Sequence, residues 1–290
     1  QHERRRISEP GRVYHGMFGG ERRPVHRGAS MAELMVSGLA MLAVLMTLVW
    51  LWQWRSGNAG WVDVGWSFGM AALAVLFAVL GDGDPVQRLL IGILGAAWGM
   101  RLGFYLWRRV GGSDEDGRYV DMRAWMGERA QLGFFAFFQF QAVAAVVLAL
   151  PWAVAVQRPE GAPVWAVGLA LVIWLVAVGG ETLADRQLAA FRARPENRGK
   201  TCRSGLWRYS RHPNYFFEWL HWWAYVPLTL GGPLGWVGLL GPVMMFLVLY
   251  YLTGIPHTER RALASRGEDY AAYQRSTPMF FPWFPTETRP

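Results

Sequence analysis

Long apolar runs dominate this sequence, and they constrain its fold more than any other feature. Of its 290 residues, 53% are hydrophobic and 15% are aromatic, which is more than a water-soluble domain usually carries. A helix needs about 20 apolar residues to cross the roughly 30 Å hydrocarbon layer of a bilayer. Seven segments meet this condition: 34–53, 61–81, 86–107, 132–156, 163–183, 215–231 and 234–254. The sequence therefore predicts an all-α membrane protein with seven transmembrane helices.

Basic residues cluster on one side of the predicted bundle. With seven spans, four polar segments share a side: the loops 54–60, 108–131 and 184–214 and the tail from residue 255. These segments hold nearly all the arginines beyond the first thirty residues, whereas the opposite loops carry only Arg88, at a border, and Arg158. Because Lys and Arg in short loops stay in the cytoplasm, we expect the N-terminus outside and the C-terminus inside a bacterial inner membrane.

The first thirty residues differ from the rest of the chain. They are rich in Arg, Gly and His and have no apolar core, so they do not form a signal peptide. Their arginines would lie outside in the predicted orientation, which conflicts with the charge rule. A native chain that starts at Met31 removes the conflict. We expect residues 1–30 to be a disordered basic leader, Met31 to be the native start, and residues 31–290 to form one membrane domain.

The formal net charge of +8 does not require a nucleic-acid partner, because the orientation rule already accounts for basic loops next to a membrane. The same cations could bind an anionic ligand on the cytoplasmic face, such as a nucleotide or a lipid headgroup. Cys202 is the only cysteine, which excludes an intramolecular disulfide and a cysteine-based metal site. We expect no metal, and the sequence leaves the oligomeric state open.

Several ionisable residues fall inside predicted spans. Glu218 and His221 in the sixth span would have to face a protein interior or a water-filled cavity. Asp63 in the second span and Arg101 in the third should each have a partner or a function, because burying their charges is costly. Asp63 lies near the start of its helix, so an interfacial position is equally compatible. Tyr105, one turn after Arg101, offers a hydroxyl that could polarise a carbonyl.

A dense polar segment, residues 203–221, surrounds the start of the sixth span. Several cations precede the predicted helix, and repeated cations beside a helix N-terminus favour an anion site. Asn214 and Glu218 are four residues apart and share a helix face. An amide next to a carboxylate suits a ligand with donors and acceptors, such as a carboxamide. The alternative is an ordinary polar helix start, with Asn214 as its cap.

Two further polar segments belong to the same predicted side. Asp185 and Arg192 are seven residues apart and would share a helix face, although a lone pair of this kind is usually a solvated salt bridge. The loop 114–119 combines acids, a turn glycine and a cation. Tyr119 directly follows Arg118, a pairing suited to packing on a flat ligand. The alternative is a charged surface loop without a ligand.

Aromatic residues suggest an apolar pocket and a helix that packs under the bundle. Most tryptophans are expected at the membrane interfaces, but Trp66 and Trp98 fall deeper and could line a flat apolar pocket, with helix packing as the alternative. After Pro256 the spacing predicts one amphipathic helix over 257–273, with Tyr270 on the side that faces the bundle.

Four motifs follow one another along the chain: Glu115–Tyr119 (EDGRY), Ser204–Glu218 (SGLWRYSRHPNYFFE), Gly254–Glu259 (GIPHTE) and Glu268–Tyr273 (EDYAAY). In this order they resemble the steroid 5-alpha-reductase family, and most closely its bacterial branch, described as a domain of unknown function. The resemblance extends from about residue 34 to the C-terminus. The RHPNY element at 211–215 alone also resembles membrane sterol reductases and isoprenylcysteine or phospholipid methyltransferases.

The resemblance implies a seven-helix membrane enzyme that binds NADPH from the cytoplasmic side. Such an enzyme reduces the C4=C5 double bond of a 3-oxo-4-ene steroid, or of a similar flat lipid enone that enters from the bilayer. The nicotinamide delivers hydride to the β carbon, while an acid group hydrogen-bonds the C3 oxygen and stabilises the developing enolate.

The resemblance also implies which residues hold the cofactor. Asn214 and Glu218 would lie near the nicotinamide, Arg192 near phosphate, and Asp185 at the same site. A wider transfer of the family pattern adds Asp116, Arg118, Tyr119, Arg203, Tyr209, His212, Tyr215, Glu259 and Tyr270.

No residues of this chain clearly match the pair that contacts the substrate oxygen in the animal enzymes. We therefore expect Asp63 to be the catalytic acid, with Tyr105 as the second choice, both in the membrane half and away from the cofactor. Trp66, Trp98 and Arg101 are the expected substrate-binding residues.

Two other functions stay open. One is a membrane methyltransferase that uses S-adenosylmethionine, although the loop 114–119 has no known counterpart in such enzymes and so favours the reductase. The other is a noncatalytic lipid-binding or transport protein, in which the basic loops meet anionic headgroups.

Overall fold

The computed structural model describes residues 28–252 and 254–286, and the regular structure within these ranges is entirely helical. Twelve α-helices follow in order: α1 Met31–Ser56, α2 Trp61–Leu80, α3 Pro85–Gly111, α4 Gly117–Met126, α5 Ala130–Leu148, α6 Leu150–Ala155, α7 Val164–Arg192, α8 Pro213–Trp223, α9 Val226–Thr229, α10 Leu240–Leu247, α11 Ile255–Arg266 and α12 Glu268–Ser276. The predicted all-α class is confirmed.

Six helical segments in the described ranges are long and apolar enough to cross a membrane: Met31–Ser56, Trp61–Leu80, Pro85–Gly111, Gly117–Ala155, Val164–Arg192 and Gly235–Arg266. They correspond to six of the seven predicted spans. This number of apolar helices indicates an integral membrane protein.

The remaining predicted span, 215–231, is not one continuous helix. It falls in α8, which has 11 residues, and α9, which has four. Pro227 lies at the start of α9, where its missing N–H cannot continue the ladder of the preceding helix. Beyond this break, the Leu228 carbonyl accepts hydrogen bonds from Gln87 (3.2 Å) and Arg158 (3.4 Å). Both donors belong to the side of the bundle opposite the basic loops.

Residues 1–27 of the predicted leader lie outside the described residues. Residues 28–30 pack against the end of α2, where the Ala29 N–H donates to the Leu80 carbonyl at 2.8 Å. Ser30 caps α1 through a capping box with Glu33, which satisfies free N–H groups of the first turn. These three residues therefore belong to the folded part of the chain.

Glycines on one face of α3 let it pack closely against α2. A Cβ added to Gly95 would lie 2.5 Å from the Ala74 Cβ, and one added to Gly99 would lie 2.7 Å from the Ser67 carbonyl oxygen. Small residues spaced by three or four positions allow such close helix contacts in membranes. The contact fixes the position of the C-terminal half of α3, which carries Arg101 and other polar residues.

We predict that Gly99→Ala lowers the unfolding free energy by about 1–3 kcal/mol, the usual cost of overpacking, because its methyl group would press on the backbone of α2. The measurement is thermal unfolding in detergent. The matched control is Gly168→Ala on α7, where an added Cβ meets nothing within 4 Å. Equal melting temperatures for the two variants would contradict the close contact between α2 and α3.

Candidate functional site

A cavity of about 770 Å³ opens where the polar ends of the helices meet. Its walls come from the start of α2, the ends of α3 and α7, the starts of α4 and α8, and the helices α11 and α12. All four segments predicted to share one side of the bundle contribute to it. Six arginines and four carboxylates line the cavity, so its walls carry more positive than negative charge.

Asp63 lies on the wall of this cavity, in the first turn of α2. Its carboxylate accepts hydrogen bonds from Arg118 at 3.1 Å and from the Tyr119 hydroxyl at 2.8 Å. Tyr105 of α3 lines the same cavity. The predicted separation of a catalytic acid from the other site residues is therefore not observed, because Asp63, three residues after the loop 54–60, takes the interfacial position that the sequence had left open.

Asp116 organises the rim of the cavity at the start of α4. It caps that helix by accepting from the Arg118 N–H at 3.0 Å, and it pairs with the side chains of Arg118 (3.3 Å) and Arg109 (3.1 Å). Burial acts to raise the pKa of Asp116, but the charges and N–H groups around it prevail and hold the pKa below its usual value. Asp116 is thus ionised at neutral pH and shared among several cations.

Glu259 of α11 plays the corresponding role at the start of α8. Its carboxylate pairs with Arg211 at 2.6 Å and His212 at 3.2 Å, and it accepts from the Tyr270 hydroxyl at 3.3 Å. Burial lowers the pKa of His212 below its usual value, although Glu259 opposes the shift. The ring is therefore neutral near pH 7, and it stacks on Tyr215 with centroids 5.4 Å apart.

Two arginines on the cavity wall differ from the others. Among the described residues, Arg192 and Arg266 have no carboxylate partner within 4.0 Å, the limit for an ion pair. Arg192 is exposed to the cavity at the end of α7, and the half-buried Arg266 ends α11. Their charges are available to an anion.

A buried polar group, here called the floor cluster, lies beneath the cavity and consists of Arg101, Glu181, Asp185 and Asn214. Arg101 of α3 pairs with Glu181 at 2.6 Å and forms a second ion pair with Asp185, both on α7. The Asn214 amide of α8 donates to Asp185 at 3.4 Å. Because Asn214 also lines the cavity, the floor cluster connects the cavity to the interior of the bundle.

Glu218 lies deeper, one turn after Asn214. It is buried and accepts a hydrogen bond from the Trp98 indole at 2.9 Å. Trp98 in turn stacks on His221 with centroids 4.5 Å apart, and His221 bonds the Tyr225 hydroxyl at 2.9 Å. This arrangement joins α3 to α8 through polar contacts within an otherwise aromatic core.

The structure brings half of the predicted site residues to the cavity wall. These nine are Asp63, Tyr105, Asp116, Arg118, Arg192, His212, Asn214, Tyr215 and Tyr270. The other nine do not line it: Trp66, Trp98, Arg101, Tyr119, Asp185, Arg203, Tyr209, Glu218 and Glu259. Five of this second group directly contact side chains that do line the cavity: Arg101, Tyr119, Asp185, Arg203 and Glu259.

Arg203 and Tyr209 hold the C-terminal segment. Arg203 pairs with Asp269 at 2.9 Å, and the Tyr209 carbonyl accepts from the Trp283 N–H at 2.9 Å. The predicted single helix over 257–273 is instead two helices, α11 and α12, which meet at Gly267 with φ of 53°. Glycine adopts this left-handed conformation at little cost, and the turn buries Tyr270.

Sequence reasoning missed Glu181. Its signal was available, because it is an acid within the predicted span 163–183 and lies four residues before Asp185, on the same helix face. Its side chain is almost fully buried and holds Arg101 in place.

A comparison with known protein families gives one match. The family described as "Protein of unknown function (DUF1295)" matches residues 49–277, which is most of the chain and includes every element of the cavity. The chain belongs to the DUF1295 family. The curated proteins and the solved structures give no significant match. The matched region thus includes the whole candidate site, but the family description does not assign the site a reaction.

We predict that Arg101→Met destabilises this DUF1295 protein by about 3–5 kcal/mol, because it leaves the Glu181 and Asp185 charges buried without their cation. Thermal unfolding in detergent measures the effect. Arg108→Met on the same helix is the control, since Arg108 is exposed and forms no ion pair with the described residues. A small effect equal to that of the control would mean that the floor cluster is not a structural ion pair.

Proposed function

We propose that this DUF1295 protein is an NADPH-dependent reductase of a flat lipid enone, such as a 3-oxo-4-ene steroid. The observation that supports it most is the positive cavity, in which Arg192 and Arg266 lack carboxylate partners among the described residues. Phosphate groups would supply the missing negative charge. S-adenosylmethionine carries a cationic sulfonium and no phosphate, so the same observation favours a dinucleotide over a methyl donor.

The residues of the cavity fit such a cofactor. Its volume of about 770 Å³ lies within the range of roughly 300–1,000 Å³ that is usual for ligand pockets. At one end, Asn214 offers an amide that can both donate to and accept from a carboxamide. Two helical turns beyond Asp185 on α7, Arg192 is free to bind phosphate.

Bound NADPH would supply a hydride for the β carbon of the enone. The protein supplies binding and orientation. Asp185 holds the Asn214 amide in place, and Arg101 in turn holds Asp185. Arg101 and Trp98 therefore act as positioning residues, Trp98 through its hydrogen bond to Glu218.

Tyr105 suits the role of the catalytic acid better than Asp63. The Asp63 carboxylate is occupied by Arg118 and Tyr119, and an ionised carboxylate accepts hydrogen bonds but cannot donate one. The Tyr105 hydroxyl makes no hydrogen bond to any described residue. In our proposal it donates a hydrogen bond to the carbonyl oxygen of the enone, where negative charge develops as hydride reaches the β carbon. The enolate that would result takes a proton from water at its α carbon, which completes the reduction.

The proposal includes a membrane arrangement with seven crossings. The chain passes from Arg211 beside the cavity to Leu228, whose carbonyl bonds Gln87 and Arg158 of the opposite loops. Helices α8 and α9 together would form this seventh, broken crossing. By the charge rule, the N-terminus is then outside and the cavity and C-terminus face the cytoplasm of a bacterial inner membrane, where NADPH is available.

The test uses purified protein in detergent. We expect NADPH, but not S-adenosylmethionine, to raise the melting temperature in a concentration-dependent way, and we expect NADPH to be oxidised when a 3-oxo-4-ene steroid is added. Stabilisation by S-adenosylmethionine alone would support the methyltransferase instead. Bound NADPH without turnover of several such steroids would reject steroids as the substrate class.

We predict that Arg192→Ala weakens NADPH binding about 10- to 100-fold, the effect of losing a charge-assisted hydrogen bond of about 1.5–3 kcal/mol. Fluorescence titration of the reduced cofactor measures it. Arg194→Ala is the matched control, because Arg194 is exposed two residues later and does not line the cavity. If the cations only meet lipid headgroups, the two variants will bind NADPH equally.

A further inference from the structure

Arg266 is a cavity cation that the proposed function does not yet assign to a particular phosphate group. It lies in the last turn of α11, and its guanidinium carbon stands 5.8 Å from the centre of the Tyr270 ring. Tyr270 is itself fixed by its hydrogen bond to Glu259. The guanidinium is therefore held against a rigid aromatic surface rather than moving freely in solvent.

Positive charge around Arg266 is only partly neutralised by the protein, because the nearby carboxylate of Asp269 forms its ion pair with Arg203. Arg192 lies within electrostatic range of both Arg266 and Arg109. Arg109 has one carboxylate, Asp116, which it shares with Arg118 and, at 4.0 Å, with Arg261. Like charges in one place repel, so this part of the wall is most stable when an anion is bound.

The floor cluster and the rim of the cavity are separated along α3. Arg101, Tyr105 and Arg109 follow at intervals of four residues and share a helix face. Arg101 belongs to the floor, whereas Arg109 pairs with Asp116 at the rim. Arg109 follows Arg101 by eight positions, which corresponds to about 12 Å along the helix. On α7, Arg192 follows Asp185 by seven residues, about 10 Å of helix, and Arg266 is within electrostatic range of Arg192. A ligand whose carboxamide lies at Asn214 would thus extend away from the floor cluster to reach these two cations.

We propose that Arg266 binds the 2′-phosphate of the adenosine ribose and thereby selects NADPH over NADH. This inference rests on the proposed dinucleotide-binding function. In a dinucleotide that extends from the floor to the rim, the pyrophosphate follows the nicotinamide and is bound by Arg192. The adenosine, with its 2′-phosphate, lies beyond it. A phosphate monoester is a compact dianion, which suits a guanidinium that lacks a carboxylate partner among the described residues.

The test is fluorescence titration of the full chain with NADPH and, separately, with NADH. We expect the wild-type protein to prefer NADPH, and Arg266→Met to weaken NADPH about 10- to 100-fold while NADH changes less than about twofold. Arg266→Lys keeps the charge without the planar fork of donors, so its preference should be intermediate. Adenosine 2′,5′-bisphosphate should displace NADPH from the wild-type protein better than 5′-AMP does. It should lose this advantage in Arg266→Met.

Arg260→Met is the matched control, because Arg260 is exposed on the same helix and does not line the cavity. It should retain the wild-type preference, and melting temperatures show that each variant is folded. Equal binding of the two cofactors by the wild type, or an equal loss of both in Arg266→Met, overturns the role of Arg266 and leaves the reductase proposal standing. A wild type that binds neither cofactor overturns both.

Discussion

The architecture of the site depends on one buried guanidinium. Arg101 joins α3 to α7 through two carboxylates, Glu181 and Asp185, and Asp185 extends the contact to α8 through Asn214. Three helices that are distant in sequence are thereby fixed at one point beneath the cavity. In surroundings of low dielectric, removing any one partner of this contact destabilises the protein, because an unpaired charge remains. The close contact of α2 with α3 supports it from the other side.

Above this floor, two carboxylates set the shape of the rim. Asp116 gathers arginines from α3 and α4, while Glu259 ties α11 to the start of α8 through Arg211 and His212. Each carboxylate connects elements that the membrane-spanning helices alone would leave apart. The rim is thus preorganised, and little ordering of these side chains would remain to be done when a ligand binds.

Much of the fold follows from the sequence, because hydrocarbon thickness and backbone hydrogen bonding leave a long apolar segment few alternatives to a spanning helix. The same reasoning brought the basic loops to one side, where the cavity lies. It did not anticipate that 215–231 is divided into two helices, because the apolar character of the whole run outweighed the proline within it, Pro227. It also failed at Gly267, where a left-handed turn allows α12 to fold back and bury Tyr270 and Tyr273.

The site was harder to predict than the fold. Spacing along one helix showed that Asn214 and Glu218 are one turn apart, but not that only Asn214 lines the cavity. It also could not show that α3 supplies Trp98 as the partner of Glu218 and Arg101 as the partner of Asp185. Asp63 was placed away from the loops for the same reason. Its partners, Arg118 and Tyr119, come from a different helix, and contacts between helices do not appear in the periodicity of either one.

Charge illustrates the difference between composition and structure most clearly. A net charge of +8 is compatible with membrane orientation, headgroup binding or a nucleotide site, and the total cannot distinguish them. The ion pairs divide the arginines of the cavity into those that hold the protein together and those that do not. Arg118 and Arg211 belong to the first group, and Arg192 and Arg266 to the second. Only the second group could gain from an anionic ligand without first breaking an ion pair, and it therefore supports the proposed position of the cofactor phosphates.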